Sequence, residues 1–208
     1  MLIRYQCYVG KQRLDKAISL YKAAHPDSND TFTTTWFPFY LNPDAPKTGV
    51  DKQQVYDQKF GAQRTRMMQQ RLAQVGKANG IAFKFGGKTG NTRDSHRLIQ
   101  LAKRKGPDAQ NRVVEELFKA YFENEQDITS HEVLRKAGVA AGLDEAEVRE
   151  WLASDDGGDE VDEEVLDARK EFISGVPNFT IQGKYVVQGA EDPDAFIEVF
   201  EEIKARGA

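Results

Sequence analysis

Cysteine is almost absent: Cys7 stands alone in 208 residues, so no disulfide can close within the chain and no cysteine-rich metal site can be built. The three histidines, His25, His96 and His131, are far apart and show no ligand spacing, so no metal is expected. No run of about 18 apolar residues occurs, which removes the case for a membrane-crossing helix. Residues 1–7 lack the apolar stretch of a secretory signal, and a cytoplasmic protein is expected. A charge excess is lacking too. Against 29 Lys and Arg stand 33 Asp and Glu, a net charge of −4 with the bases read as dispersed, so nucleic acid is not an expected partner. What is present, 39% hydrophobic and 10% aromatic residues, suffices for a packed core.

The chain is organised around Ser174–Ala190. Phe179 and Ile181 alternate with Thr180 and Gln182, the period of a strand with one buried face. Gly183-Lys184 fits a two-residue hairpin loop, and Tyr185, Val186 and Val187 form the returning strand. Pro177 stands at the hairpin's mouth, where a residue without an N–H is tolerated. Asp192-Pro193 then opens a helix whose apolar stripe is Phe196, Val199, Phe200 and Ile203.

Upstream, Leu14, Ala17, Ile18 and Tyr21 share a helical face, ended by the Pro-Asp-Ser-Asn cluster at 26–29. Thr31–Phe37, rich in β-branched and aromatic residues, predicts a strand. Only residues 1–6 are available for a strand before the first helix. From Lys52 the pattern turns helical, with a break at Gly61 and a C-cap at Asn79-Gly80. Further helices are expected from Asn91 to the Gly106-Pro107 stop, over 108–124, after Ser130 and after Asp144. Another is expected over 161–172, preceded by an acidic segment at 155–164 that reads as a solvated loop and first turn. The layout predicts an α/β core, 1–50 plus 161–208, interrupted by an all-helical insertion over 51–160.

Six segments carry a family resemblance: residues 7–14 (CYVGKQRL), 36–43 (WFPFYLNP), 91–98 (NTRDSHRL), 120–123 (AYFE), 175–179 (GVPNF) and 188–190 (QGA). In this order they resemble the DsbA-like thioredoxin-domain proteins of the FrnE type, relatives of 2-hydroxychromene-2-carboxylate isomerase and kappa-class glutathione transferase. The resemblance implies a thioredoxin-like core with a helical insertion, a cis Val176-Pro177 bond, and thiol–disulfide or glutathione-linked chemistry. It places Cys7 at the resolving position of the family's two-cysteine motif and Pro177 at the cis-proline position. It also implies that the Val176 backbone binds an extended peptide or glutathione as an added strand.

The opening departs from that pattern. Arg4 stands where the first cysteine belongs, with Tyr5 and Gln6 in place of Pro and Trp. The abrupt divergence before Cys7 is expected to reflect a displaced start or a spliced variant. Cys7 itself has two readings, a small core hydrophobe or a monothiol limited to mixed disulfides. Arg4 is a candidate partner for a thiolate or a glutathione carboxylate, and Trp36 and Phe39 are candidate walls of an apolar substrate groove. His96 reads as a packed polar residue more than a general base. The expected function is a disulfide oxidoreductase impaired by its single cysteine. The alternatives are a glutathione-dependent isomerase or transferase, or a non-catalytic peptide-binding remnant. No cofactor beyond glutathione as co-substrate is expected, and the expected partners are thiol or disulfide proteins, a glutathione-linked small molecule, or a second copy in a homodimer.

Overall fold

The computed structural model describes residues 4–207. In chain order its elements are α1 (Tyr5–Ala24), β1 (Val50–Asp51), α2 (Lys52–Phe60), α3 (Ala62–Ala78), β2 (Lys88–Thr89), α4 (Arg93–Lys103) and α5 (Pro107–Phe118). There follow a π turn (Lys119–Glu123), α6 (His131–Ala140), α7 (Glu145–Ala153), α8 (Gly158–Lys170), β3 (Asn178–Ile181), β4 (Tyr185–Gln188) and α9 (Pro193–Ala205). The chain divides into two compact units, one of residues 34–172 and one of residues 4–33 with 173–207.

The second unit is α1, the β3–β4 hairpin and α9. Leu14, Ala17 and Tyr21 of α1 pack with Val187 of β4 and with Phe196 and Phe200 of α9. Burying an apolar side chain of this size contributes about 1.5–3 kcal/mol, so this small cluster is the unit's main source of stability. The rings of Tyr21, Phe32 and Phe200 meet edge to face. Polar ties close the rim. The Tyr21 hydroxyl donates to Asp30 Oδ2 at 2.7 Å, and Lys204 Nζ reaches the same carboxylate. Arg13 donates to the Ala190 carbonyl and pairs with Asp192 at 3.0 Å. Asp192 therefore holds an arginine rather than capping α9, whose first turn has no side-chain cap.

β3 and β4 are antiparallel, Asn178 opposite Gln188 and Ile181 opposite Tyr185. The expected alternation is present, with Thr180 and Val186 exposed and Val187 buried. The turn is one residue earlier than the sequence suggests. Lys184 N–H bonds the Ile181 carbonyl, and the central residues are Gln182 (φ 51°) and Gly183 (φ 66°). Both central residues of this turn need positive φ; glycine takes the second without cost, and Gln182 is carried along in the first.

The expected strand over Thr31–Phe37 is not formed: these residues join no ladder among the described residues. β-propensity describes a side chain suited to a pleated surface, but the ladder itself needs a partner. The partner expected from residues 1–6 is not supplied by the residues seen. Tyr5 and Gln6 already belong to α1 and Arg4 is its N-cap, while residues 1–3 lie outside the described residues. At Trp36 a side chain takes the partner's part. The Trp36 N–H donates to Gln110 Oε1 and the Gln110 amide donates back to the Trp36 carbonyl, both at 2.9 Å.

The first unit is built on α4 and α5, with α6, α7 and α8 packed around them. Gly106 separates α4 from a helix that opens on Pro107, as the sequence indicates. Asp144 caps α7 through the Glu147 N–H at 2.9 Å. At the start of α4 the capping oxygen comes from Asn91, which accepts from the Arg93 N–H. The acidic segment is an exposed loop and the first turn of the next helix, as expected, and several of its carboxylates are also paired: Arg93 with Asp155 and Asp162, and Lys103 with Glu164 at 2.6 Å. α8 begins at Gly158, earlier than the expected residue 161. The break between α2 and α3 falls at Gly61, as expected. The connection over 81–90 contains β2, which pairs with β1 through Val50 opposite Thr89.

Lys52 is buried at the start of α2, 1% exposed, with Nζ 3.7 Å from the centre of the Tyr121 ring and one long hydrogen bond, 3.4 Å, to the Tyr121 carbonyl. Burial lowers its ammonium from the usual value to about 8, an effect that Glu125 partly offsets. The folded protein therefore holds fewer protons than the unfolded chain between pH 8 and 10.5, and stability should rise with pH across that window. Below pH 8 the full penalty applies, about 3 kcal/mol. Lys52→Met should be the more stable protein at pH 7, and its advantage should vanish by about pH 10.5. Urea titrations of both proteins from pH 6 to 10 check this; an advantage that stays constant with pH would contradict it.

Candidate functional site

Arg4, the N-cap of α1, has extended backbone (φ −112°, ψ 126°), and its carbonyl accepts from the Cys7 N–H at 2.9 Å. Cys7 thus sits in the first turn, where the positive end of the helix favours a thiolate. Burial works against that. Cys7 is 1% exposed, and its desolvation pushes the thiol up to about 12, with the Arg4 cation opposing. Burial wins by several orders of magnitude, because the gain from a helix end is about 0.3–1 kcal/mol where exposed. At neutral pH roughly one thiol in 10⁵ is ionised.

One turn further on, Gly10 lies against the hairpin. A Cβ there would stand 3.1 Å from the Pro177 ring and 3.1 Å from the Phe179 ring. A Cβ at this position is tighter than ordinary contact, so any other residue would require the Pro177 and Phe179 rings to give by a few tenths of an ångström. The Val176-Pro177 bond is cis, as the sequence resemblance implies, and Pro177 is buried. The Pro177 carbonyl accepts from the Gly189 N–H at 2.9 Å, which carries the hairpin pairing up to the proline. The next residue out is Val176, half-buried. Neither its N–H nor its carbonyl has a hydrogen-bond partner among the described residues. Arg4, Cys7, Gly10, Val176 and Pro177 all belong to the unit of residues 4–33 and 173–207.

Trp36 and Phe39 belong to the other unit. Trp36 is 7% exposed, its ring edge to face with Phe118 and its Nε1 donating to Asn111 at 2.5 Å. Phe39 is half-buried. The exposed member of the aromatic run is Phe37, with Lys103 Nζ 4.3 Å from its ring centre. Trp36, Phe37 and Pro38 line, with His96, Ile99, Gln100 and Val114, a pocket of about 10 Å³, room for one water. His96 is buried, its Nδ1–H donates to the Thr92 carbonyl at 2.7 Å, and its ring meets Tyr40 edge to face. Burial holds its pKa well below the usual value, so the ring is neutral at physiological pH. Among the described residues no group of three or more His, Cys, Asp or Glu could hold a metal ion, and no helix is long and apolar enough to cross a membrane.

Sequence reasoning did not find Gly10, Gln110 or Asn111. Gly10 carried one signal, a glycine inside an amphipathic helical pattern, which points to a close approach. The amides carried none.

A ββα unit entered through a cis proline, with the first turns of a helix packed on that proline, defines a thioredoxin-type fold. The chain belongs to the DSBA-like thioredoxin domain family, whose model matches residues 6–201. It is similar over all of its length to the crystal structure of a "probable DsbA oxidoreductase" of Streptomyces coelicolor, at 26% identity and a TM-score of 0.84, covering 88% of that chain. A protein disulfide isomerase candidate of Nitrosomonas europaea matches 98% of the chain at 14% identity and a TM-score of 0.69, with 94% of that protein covered. The structure of a 2-hydroxychromene-2-carboxylate isomerase matches 98% of the chain at 16% identity and a TM-score of 0.61, with 91% covered. No curated protein matches the chain.

Proposed function

We propose that this chain is a thiol–disulfide protein of the DsbA family that engages extended thiol or disulfide peptides at Val176 and does not turn over as a dithiol oxidoreductase. The observation that carries the reading is a lone, buried thiol in the first turn of a helix whose next turn packs on a cis proline. Cys7 fills the resolving position, and Val176 offers an unpaired N–H and carbonyl to an added strand. Arg4, exposed at the N-cap, supplies a cation for a ligand carboxylate.

Disulfide transfer needs two sulfurs. A Cys7 thiolate attacking R–S–S–R′ would form Cys7–S–S–R and release R′S⁻. Without a second thiol in the chain, only an external thiol such as glutathione could then displace R–S⁻. A second reading, glutathione-linked isomerisation, draws on the isomerase fold match together with the missing first cysteine. There glutathione supplies the reacting sulfur and Cys7 none. A reducing cytoplasm suits both readings.

The test joins alkylation and turnover. Iodoacetamide at pH 7.5 should label Cys7 at least 10³-fold more slowly in the native chain than in denaturant. Insulin reduction with glutathione should stay at background for the wild type and for Cys7→Ser alike. Glutathione-dependent insulin turnover that Cys7→Ser abolishes would overturn the proposal. Turnover of a chromene carboxylate that survives Cys7→Ser would favour the isomerase reading.

A further inference from the structure

β3 has two edges, and β4 fills one of them. At both ends of the hairpin the bonds fall on odd-numbered residues of β3 and its approach: the Gly189 N–H donates to the Pro177 carbonyl and the Lys184 N–H to the Ile181 carbonyl. Residues of an antiparallel strand turn their backbone groups alternately to the two sides. Phe179, opposite Val187, therefore faces β4 as well, and the N–H and carbonyl groups of Asn178 and Thr180 point to the outer edge. No strand stands there. Among the described residues β3 pairs with β4 alone, and the outward groups of Asn178 and Thr180 have no hydrogen-bond partner. Val176, two residues before Asn178, is unpaired as well.

Open edges usually carry charge or proline that turns other strands away. β4 has such a guard, with Lys184 Nζ and the Arg206 guanidinium 5.1 and 6.0 Å from the Tyr185 ring centre. The approach and strand over 176–181 carry no charge. Pro177 does not block the outer edge either, because the N–H it lacks would face Gly189 on the inner side. The face that β3 turns to the core is only partly covered: Phe179 and Ile181 pack against the core cluster yet stay half-buried. A two-stranded ribbon is marginal in water, and a third strand adds both ladder bonds and apolar cover.

We propose that the outer edge of β3 takes a third strand from an extended polypeptide ligand, which pairs with Asn178 and Thr180 as well as with Val176. The inference rests on the reading of Val176 as a peptide site and deepens it by naming the class of ligand. The unpaired groups run on from that position, so the occupant is the same peptide. A strand that pairs with all three residues needs about five residues of its own. Glutathione, with two peptide bonds, is too short to do so, and the edge therefore selects polypeptide over glutathione. The ligand needs free N–H groups at alternate positions, which excludes proline there. Apolar side chains at every second position, set beside Phe179 and Ile181, strengthen the pairing.

Amide hydrogen exchange of the isotope-labelled full chain, followed by NMR, tests it. With the reduced peptide acetyl-Lys-Val-Cys-Val-Thr-Val-Lys-amide in excess, the Asn178 and Thr180 amides should exchange about 10-fold or more slowly. Excess glutathione should leave them unchanged. Thr180→Pro deletes an outward N–H, keeps the β4 side, and should weaken peptide binding about 10-fold or more. Val186→Pro deletes the corresponding N–H on the far edge of β4 and should leave the affinity unchanged. An analogue of the peptide methylated on every backbone nitrogen tests the same bonds without altering the chain, and it should bind about 10-fold or more weakly. Peptide binding that shifts the Val176 resonances but leaves Asn178 and Thr180 exchanging freely overturns this proposal and leaves the peptide site standing. A peptide that binds nowhere on the chain removes both. Equal weakening by Thr180→Pro and Val186→Pro overturns the proposal, as does protection by glutathione equal to that by the peptide. Protection that grows with protein concentration alone gives the edge to a second copy and also overturns it.

Discussion

Replacing Arg97 with methionine should destabilise the protein by about 3–5 kcal/mol, the usual cost of removing one partner from a buried ionic network. Arg97 is 2% exposed, and every arm of its guanidinium is used. Nη1 bonds Asp94, Nε bonds the Asp156 carbonyl at 2.9 Å, and Nη2 reaches the carbonyls of Trp151 and Ser154 at 2.5 and 2.7 Å. Those carbonyls end α7, where a helix leaves its last acceptors without intrahelical donors. The tie runs both ways, since Trp151 Nε1 donates to the Arg97 carbonyl at 2.9 Å. Methionine would fill the space and leave the Asp156 and Ser154 carbonyls unmatched, while Ser154 Oγ still donates to the Trp151 carbonyl at 3.0 Å. Arg97→Lys should recover little, because a single ammonium cannot copy the planar fork. Urea unfolding of both variants checks this; a loss under about 1 kcal/mol for Arg97→Met would show that water replaces the guanidinium at little cost.

Gln110→Leu should cost about 2–6 kcal/mol. Its amide is fully buried and serves both the N–H and the carbonyl of Trp36. Leucine is similar in size, so cavity formation contributes little and the effect reports two orphaned backbone groups, about 1–3 kcal/mol each. Gln110→Glu separates the two bonds. It keeps an acceptor for the Trp36 N–H but sets a carboxylate oxygen against the Trp36 carbonyl, so it should destabilise at neutral pH and recover part of the loss as the carboxylate protonates. Thermal unfolding of the three proteins at pH 5 and pH 7.5 reads this out. Equal stability of Gln110→Leu and wild type would mean that the paired amide has no structural role.

The features visible in the sequence depend on near neighbours. The helix breaks at Gly61 and Gly106-Pro107, the Asp144 cap and the alternation across 178–187 each involve residues within a few positions. Apolar stripes such as Leu14, Ala17 and Tyr21 are read the same way. The hairpin shows where this stops. A glycine marks the turn, but whether it takes the first or second central position depends on the pairing of the strands. For Thr31–Phe37 composition predicted a strand, and the missing ladder belongs to partners that composition does not describe.

At the candidate site, sequence determined which atoms are available: one thiol, one proline entering a hairpin, one arginine before the helix. The same local information yields the family segments, and the resemblance they carry implies the cis Val176-Pro177 bond. Tertiary structure decided what those atoms can do. The cysteine's position in a first helical turn predicts a lowered thiol pKa, and burial reverses the sign. Desolvation depends on residues brought together from distant parts of the chain, as do the amide of Gln110 at Trp36 and the ring of Tyr121 over Lys52. A one-dimensional pattern records which face of a helix is apolar, but the solvent left at each atom is a property of the folded chain alone.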